Sequence, residues 1–193
     1  MMDINEGAMS NSDKLDIAVG RILATTNQQA KEMVDKVASY YRTETYGSWR
    51  NNFLMISDDI DKYSDRFIQE TTDSIAEDVK TAKPFLNVHK IHSDSYVQEI
   101  SSGGARYTSV NKAIFDALEV GAVVVNYFGH GGEDGLAAER IFDKINAQEL
   151  NNPSKLNCFV TVTCEYTKFD NPYRASAGEY LYWNKRGGAI SLI

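Results

Sequence analysis

Cys164 and His130 are the side chains in this sequence best suited to covalent chemistry. A cysteine attacks a carbonyl carbon as its thiolate, and a thiol of ordinary pKa ~8.5 needs a base or a positive charge nearby to supply that form. Imidazole serves as that base because its own pKa of ~6.5 lets it exchange protons near neutrality. His130 lies in Gly129-His130-Gly131-Gly132, where glycines permit tight turns and leave backbone N–H groups unobstructed. The N–H groups of Gly131 and Cys164 are candidate donors to a developing oxyanion; one such donor is worth ~2.7–4 kcal/mol in a transition state. Acids stand at Asp58-Asp59 and beside the cysteine at Glu165. A carboxylate on the same edge as the imidazole holds its tautomer. Each residue also has a plain structural reading, since a strand-end cysteine is most often a small buried hydrophobe and a lone turn histidine a satisfied polar group.

The choice between readings depends on the elements that carry these residues. Leu15–Ile22, Asn52–Ile56, Phe85–Ile91, Ala122–Phe128, Leu156–Thr163 and Ala189–Ile193 read as strands. Helical spacing of apolar positions marks Asn27–Tyr41, Ser64–Lys80, Ser109–Leu118 (with Ser109 as N-cap), Ile141–Leu150 and Ala175–Lys185. Strand and helix alternate, as in βαβ units of a parallel sheet. Val123-Val124-Val125 and Phe159-Val160-Thr161-Val162 lack polar alternation, so both faces of those strands are covered. The expected fold is α/β: a three-layer sandwich with a mainly parallel sheet. Ligands of such sheets bind at the carboxyl ends of the strands. Asp58-Asp59, His130 and Cys164-Glu165 each follow a strand, so acid, imidazole and thiol share one edge.

Composition narrows the alternatives. Lys+Arg total 20 against 27 Asp+Glu, a net charge of −7, and no basic cluster offers a surface for nucleic acid. With 42% hydrophobic and 24% charged residues the chain is globular rather than disordered. No apolar run reaches the ~18–20 residues of a membrane span. Met1–Asp13 is polar and reads as a linker or disordered N-terminus, and a terminal Ala189–Ile193 strand suggests a domain, 14–193, truncated at both ends. Cys158 and Cys164 would lie roughly 20 Å apart on one strand, too far for a disulfide. His89 and His92 face opposite sides of a strand, and no cysteine pair has zinc spacing, so neither metal nor cofactor is called for. Gly129–Gly135 resembles an anion-binding nest but has neither a phosphate-loop spacing nor an adjacent lysine. The acidic face of Asp73, Glu77 and Asp78 reads as solvated, and Tyr40, Tyr41, Tyr46 and Trp49 as packing around a loop.

The stretch Val124-Val125-Asn126-Tyr127-Phe128-Gly129-His130-Gly131-Gly132-Glu133-Asp134-Gly135 resembles the histidine motif of gingipain-type cysteine peptidases. Val160-Thr161-Val162-Thr163-Cys164-Glu165-Tyr166-Thr167-Lys168-Phe169-Asp170 resembles the cysteine motif of one branch, the PorU-type sortases of the type IX secretion system. Asp16–Ile22, Tyr46–Asn51, Ser176–Glu179 and Gly187–Ile190 extend the likeness from about Lys14 to Ile193. The resemblance implies a caspase-like fold and a catalytic pair of His130 and Cys164. It implies a third acid shortly after an earlier strand, at Asp59 with Asp58 as the rival, and Asp65 and Glu165 near the substrate pocket. It further implies an enzyme at the cell surface, associated with the outer membrane. That enzyme cleaves C-terminal sorting domains from secreted cargo through a Cys thioester, alongside other type IX secretion components. A second reading keeps the fold but makes it a non-catalytic module that binds cargo C-terminal domains, and a third is a phosphate-binding domain using Gly129–Gly135.

Overall fold

The structure is a computed structural model that describes residues 19–193. In chain order the elements are α1 (Asn27–Tyr40), β1 (Asn52–Ser57), α2 (Arg66–Ala82), β2 (Asn87–His92), β3 (Glu99–Ser101), β4 (Gly104–Arg106), α3 (Thr108–Val120), β5 (Val124–Phe128), β6 (Gly131–Gly132), β7 (Gly135–Leu136), β8 (Phe142–Asp143), α4 (Lys144–Glu149), β9 (Asn157–Val162), α5 (Ala177–Trp183) and β10 (Ala189–Leu192). Five strands form one sheet in the order β10-β9-β5-β1-β2, and every neighbouring pair is parallel. The expected α/β sandwich with a parallel sheet is the fold observed.

The layers follow from connection direction. The chain passes from β1 outward to β2, then returns across β1 and continues through β5, β9 and β10. Parallel crossovers are right-handed, so the reversal puts α2 on one face and α3, α4 and α5 on the other. The pleat sorts side chains accordingly. Leu54, Ile56, Val125, Tyr127 and Phe159 join Val110, Ile114 and Leu118 of α3 and Leu181 of α5 in one buried cluster. Ile68, Thr72 and Ala76 are the buried residues of α2. Helix starts are chemically specified: Thr26 accepts from the Gln29 N–H at α1. Asp143 with Asn146, and Ser176 with Glu179, form capping boxes at α4 and α5.

Three expectations change. Val19–Ile22 is irregular and pairs with no strand; Leu15–Ala18 and the proposed linker lie outside the described residues. Val19 and Ile22 are exposed, so the apolar pattern there marks no covered strand. Ser109 lies inside the first turn of α3, which has no side-chain cap; Tyr107 precedes it, turned inward and buried. The β3–β4 hairpin and the small antiparallel sheet β6-β7-β8 were not anticipated, because strands this short and glycine-rich carry no alternation to read. Both cysteines are free, Cys158 half-buried and Cys164 exposed. The aromatic loop is packing, as expected: the Arg50 guanidinium sits 4.3 Å from the Tyr40 ring and 4.1 Å from that of Tyr46.

Candidate active site

The sheet changes direction between β1 and β5, and the crevice at their carboxyl ends is the position where ligands of such sheets bind. Register fixes what lies there. Ser57 is opposite Phe128, and Phe128 is opposite Val162. The ladder continues one step beyond the strands, with Asp58 N–H donating to the Phe128 carbonyl at 3.1 Å and Gly129 N–H to that of Val162 at 3.3 Å. His130 and Cys164 therefore leave adjacent strands at the same level. The side chains of both are exposed to solvent.

The backbone of His130 is held from three sides. Its N–H donates to Asp58 Oδ2 at 2.8 Å, and its carbonyl accepts from Tyr127 Oη at 2.6 Å and from Ala137 N–H at 2.9 Å. Only glycine fits before it: a Cβ on Gly129 would stand 2.4 Å from Asp58 Cβ and 2.5 Å from Tyr127 Oη. The imidazole Nε2 faces Asp65 Oδ1 at 3.7 Å. Asp65 is buried and fixed in its turn, accepting from the Lys62 N–H at 3.0 Å and the Ser64 hydroxyl at 3.2 Å.

The carboxylate facing the imidazole is thus Asp65, where the family resemblance pointed to Asp59. Asp59 instead accepts from the Tyr107 hydroxyl at 3.1 Å. Its carboxyl, with those of Asp58 and Glu139, belongs to a buried acidic group. Burial pushes all three carboxyls above their usual range, and neighbouring negative charge adds to the shift. Residues 60–65 bring Asp65 to the sheet edge through the turn Tyr63–Asp65.

The proposed oxyanion donors adjoin each other through Thr163. A Cβ on Gly131 would lie 2.7 Å from Thr163 Oγ1, so Gly131 packs directly on the residue before Cys164. Hydrogen-bonded and open pairs alternate along an antiparallel ladder. His130 and Ala137 form a bonded pair, so Gly131 and Leu136 form the open one, and the Gly131 N–H turns away from β7. After Cys164 the chain is clamped. Glu165 adopts a left-handed backbone with φ 53°, and the fully buried Tyr166 stacks on Phe159 at 6.1 Å. A non-glycine residue in that conformation costs on the order of 1 kcal/mol, a strain typical of residues that aim a functional neighbour.

Glu165 itself is exposed and pairs with Lys168 at 2.8 Å. Lys144 and Arg174 pair with Asp134, and Arg174 reaches Glu133 at 3.6 Å, tying the β6–β7 turn to the segment after Cys164. A shallow cleft of about 250 Å³ runs between them, lined by Glu133, Arg140, Glu165 and Arg174 among others. The turn carries two acids at its tip, which disfavours the phosphate reading of Gly129–Gly135.

A second constellation went unread in the sequence. Ser57 Oγ lies 2.6 Å from His92 Nδ1, and His92 Nε2 lies 3.1 Å from Asp73 Oδ1. Residue types and order suggest a hydrolytic relay, but Ser57 is fully buried and cannot meet a substrate. Asp58, Tyr107 and Glu139 were likewise not assembled from sequence, because they come from β1, the start of α3 and the loop after β7.

The model of Peptidase family C25 matches residues 1–193. The chain belongs to peptidase family C25. This is the gingipain family of cysteine peptidases, and the solved structures agree in fold. A crystal structure of the Arg-specific cysteine proteinase gingipain R (RgpB) superposes with a TM-score of 0.66 at 19% identity over 86% of this chain. A complex of Porphyromonas gingivalis RgpB pro- and mature domains gives 0.70 at 19% identity over 92%. A further protease gives 0.62 at 20% identity over 88%. The C25 chain described here spans 37%, 40% and 34% of those three chains respectively. No curated protein matches it.

Proposed function

We propose that this chain is the core of a PorU-type sortase, a C25 cysteine peptidase that resolves a Cys164 acyl-enzyme with water or with an amine. One observation carries the chemistry: Cys164 and His130 emerge exposed from adjacent strands at one level of the sheet edge. In the proposed cycle His130 takes the Cys164 thiol proton and the thiolate adds to the scissile carbonyl. The N–H groups of Gly131 and Cys164 receive the oxyanion. His130 then protonates the departing amine, leaving a thioester. Water converts the thioester to a carboxylic acid; an amine converts it to a new amide. Asp65 holds the ring orientation.

The motif around Cys164 supports the sortase branch. It suggests that the acyl group comes from secreted cargo losing a C-terminal sorting domain at the outer-membrane surface, among other type IX secretion components. The acceptor would be an amine linked to lipopolysaccharide.

The test is cleavage of a cargo peptide that spans a sorting-domain junction. Cys164→Ala is expected to abolish it; undiminished cleavage by a variant with an unchanged circular dichroism spectrum removes the proposal. An acylating probe is expected to label Cys164 ahead of Cys158, and to lose that preference in His130→Ala. Equal, slow labelling of both thiols makes the chain a cargo-binding module. Mass spectrometry with added amine decides the branch: an amide adduct supports a sortase, and free acid alone reduces the enzyme to a hydrolase.

A further inference from the structure

The cleft beside Cys164 is bordered by the β6–β7 hairpin that follows His130 and by Glu165, next in sequence to the thiol. Three acids line it, and each is matched within the chain. Glu133 faces Arg174 at 3.6 Å and Lys168 at 3.9 Å, and accepts from the Asn171 amide at 2.7 Å. Asp134 pairs with Lys144 at 2.9 Å and with Arg174. Glu165 pairs with Lys168 at 2.8 Å. Arg174, Lys144 and Lys168 thus answer the three carboxylates, and Arg140, exposed in the same cleft, is left over. Among the described residues its guanidinium has neither an ion pair nor a hydrogen bond. Only its backbone N–H is engaged, donating to the Ala137 carbonyl at 3.3 Å.

The backbone holds Arg140 in place. Ala137 and Arg140 both take left-handed conformations, with φ 61° and 57°. Non-glycine residues in that region cost on the order of 1 kcal/mol each and persist where their neighbours fix them. Here Ala137 N–H donates to the His130 carbonyl at 2.9 Å, and Ile141 N–H to the Leu136 carbonyl at 3.0 Å. Glu139 and Ile141 are buried, so Arg140 is turned outward between two anchored neighbours. A chain of net charge −7 keeps an unanswered guanidinium on the turn tied to the His130 backbone. The planar fork of a guanidinium holds a carboxylate through two parallel N–H···O bonds. We propose that Arg140 is a specificity-determining residue that receives the carboxylate of an Asp or Glu side chain close to the scissile bond. The role rests on the reading of Cys164 as the nucleophile of a peptide substrate. A neutral side chain at that place forgoes the charged bond, and a basic one meets like charge.

Recognition is measured apart from turnover. Peptides spanning a sorting-domain junction, with Glu, Gln or Lys placed in turn at each residue flanking the bond, are titrated into Cys164→Ala by calorimetry. At one position Glu is expected to bind about tenfold tighter than Gln, the low end for a hydrogen bond to a charged group. The preference is expected to vanish when Arg140→Ala is added and to pass to Lys with Arg140→Glu. Arg140→Gly, at ease in the left-handed backbone, serves where the alanine variant does not fold. Absence of binding, equal binding of Glu and Gln peptides at every position, or a Glu preference that survives loss of the guanidinium each overturns the proposal and leaves Arg140 a solvated surface charge. A Glu preference that depends on Arg140 in a chain that cleaves nothing would keep this role and remove the catalytic reading instead.

Discussion

Two histidines at the same carboxyl edge of one sheet, with β1 between their strands, have opposite surroundings. His92, at the end of β2, has a side chain only 16% exposed, and both ring nitrogens are engaged, by Ser57 at 2.6 Å and Asp73 at 3.1 Å. His130, at the end of β5, has a side chain 60% exposed and a single carboxylate facing it at 3.7 Å. The first ring is spent on holding β1, β2 and α2 together. The second has its backbone fixed by three hydrogen bonds while its ring stays available. A residue built for proton transfer requires this division of labour: a rigid base of attachment and an uncommitted nitrogen. A Ser-His-Asp chain in itself signals nothing; access to the hydroxyl decides.

The comparison breaks most sharply by exchanging losses. His130→Ala is expected to lower turnover by about 10²–10⁴-fold, the usual contribution of a general base, with little change in melting temperature. His92→Ala is expected to leave turnover per folded molecule intact. It strands the buried Ser57 hydroxyl and costs about 1–3 kcal/mol in denaturant unfolding. If the two variants lose activity equally at equal stability, the division of roles is wrong.

A smaller effect sharpens the His130 side of the comparison. Asp65→Asn keeps the acceptor oxygen that holds the Lys62 N–H but removes the charge facing the imidazole. A buried, directly bonded triad carboxylate contributes ~10⁴ in turnover. At 3.7 Å, on a solvent-exposed ring, about tenfold is expected, in kcat rather than KM. The corresponding change at Asp59, which faces Tyr107, is expected to leave kcat unchanged. A kcat lowered by Asp59→Asn and not by Asp65→Asn would return the role to Asp59.

The same contrast explains what the sequence could disclose. Val123–Val125 and Phe159–Val162 are apolar enough to announce buried parallel strands, and the strand-end rule then puts His130 and Cys164 on one edge. Those two residues are legible because they follow directly from their strands; two residues past Phe128 or Val162 the chain has had no room to wander. Asp65 is six residues beyond Asp59, on a polar turn whose path is set by tertiary contacts. Glu139 is reached only through the β6–β7–β8 sheet, whose two-residue strands have no periodicity. Val19–Ile22 misled for the opposite reason: an apolar stretch needs a cover, and pattern alone does not supply one.

The weakest expected effect is on the His92 side, and it is a pH dependence. Lys90 at 2.7 Å, and after it His92, hold the Asp73 carboxyl below its usual range. A carboxylate whose folded pKa is depressed binds fewer protons folded than unfolded. Its contribution is therefore present above the unfolded pKa of ~3.9 and lost as pH falls through the folded value. Asp73 is half-exposed, so solvent screening keeps the contribution to the ~0.2–1 kcal/mol typical of surface pairs. Urea unfolding should show Asp73→Asn destabilised by that amount at pH 7, with the gap to wild type closing as the pH falls below the ordinary carboxylate range. A gap that stays constant across this range would mean that Asp73 acts on His92 by hydrogen bonding and packing alone. The buried pair Ser57–His92 would then stand without electrostatic help.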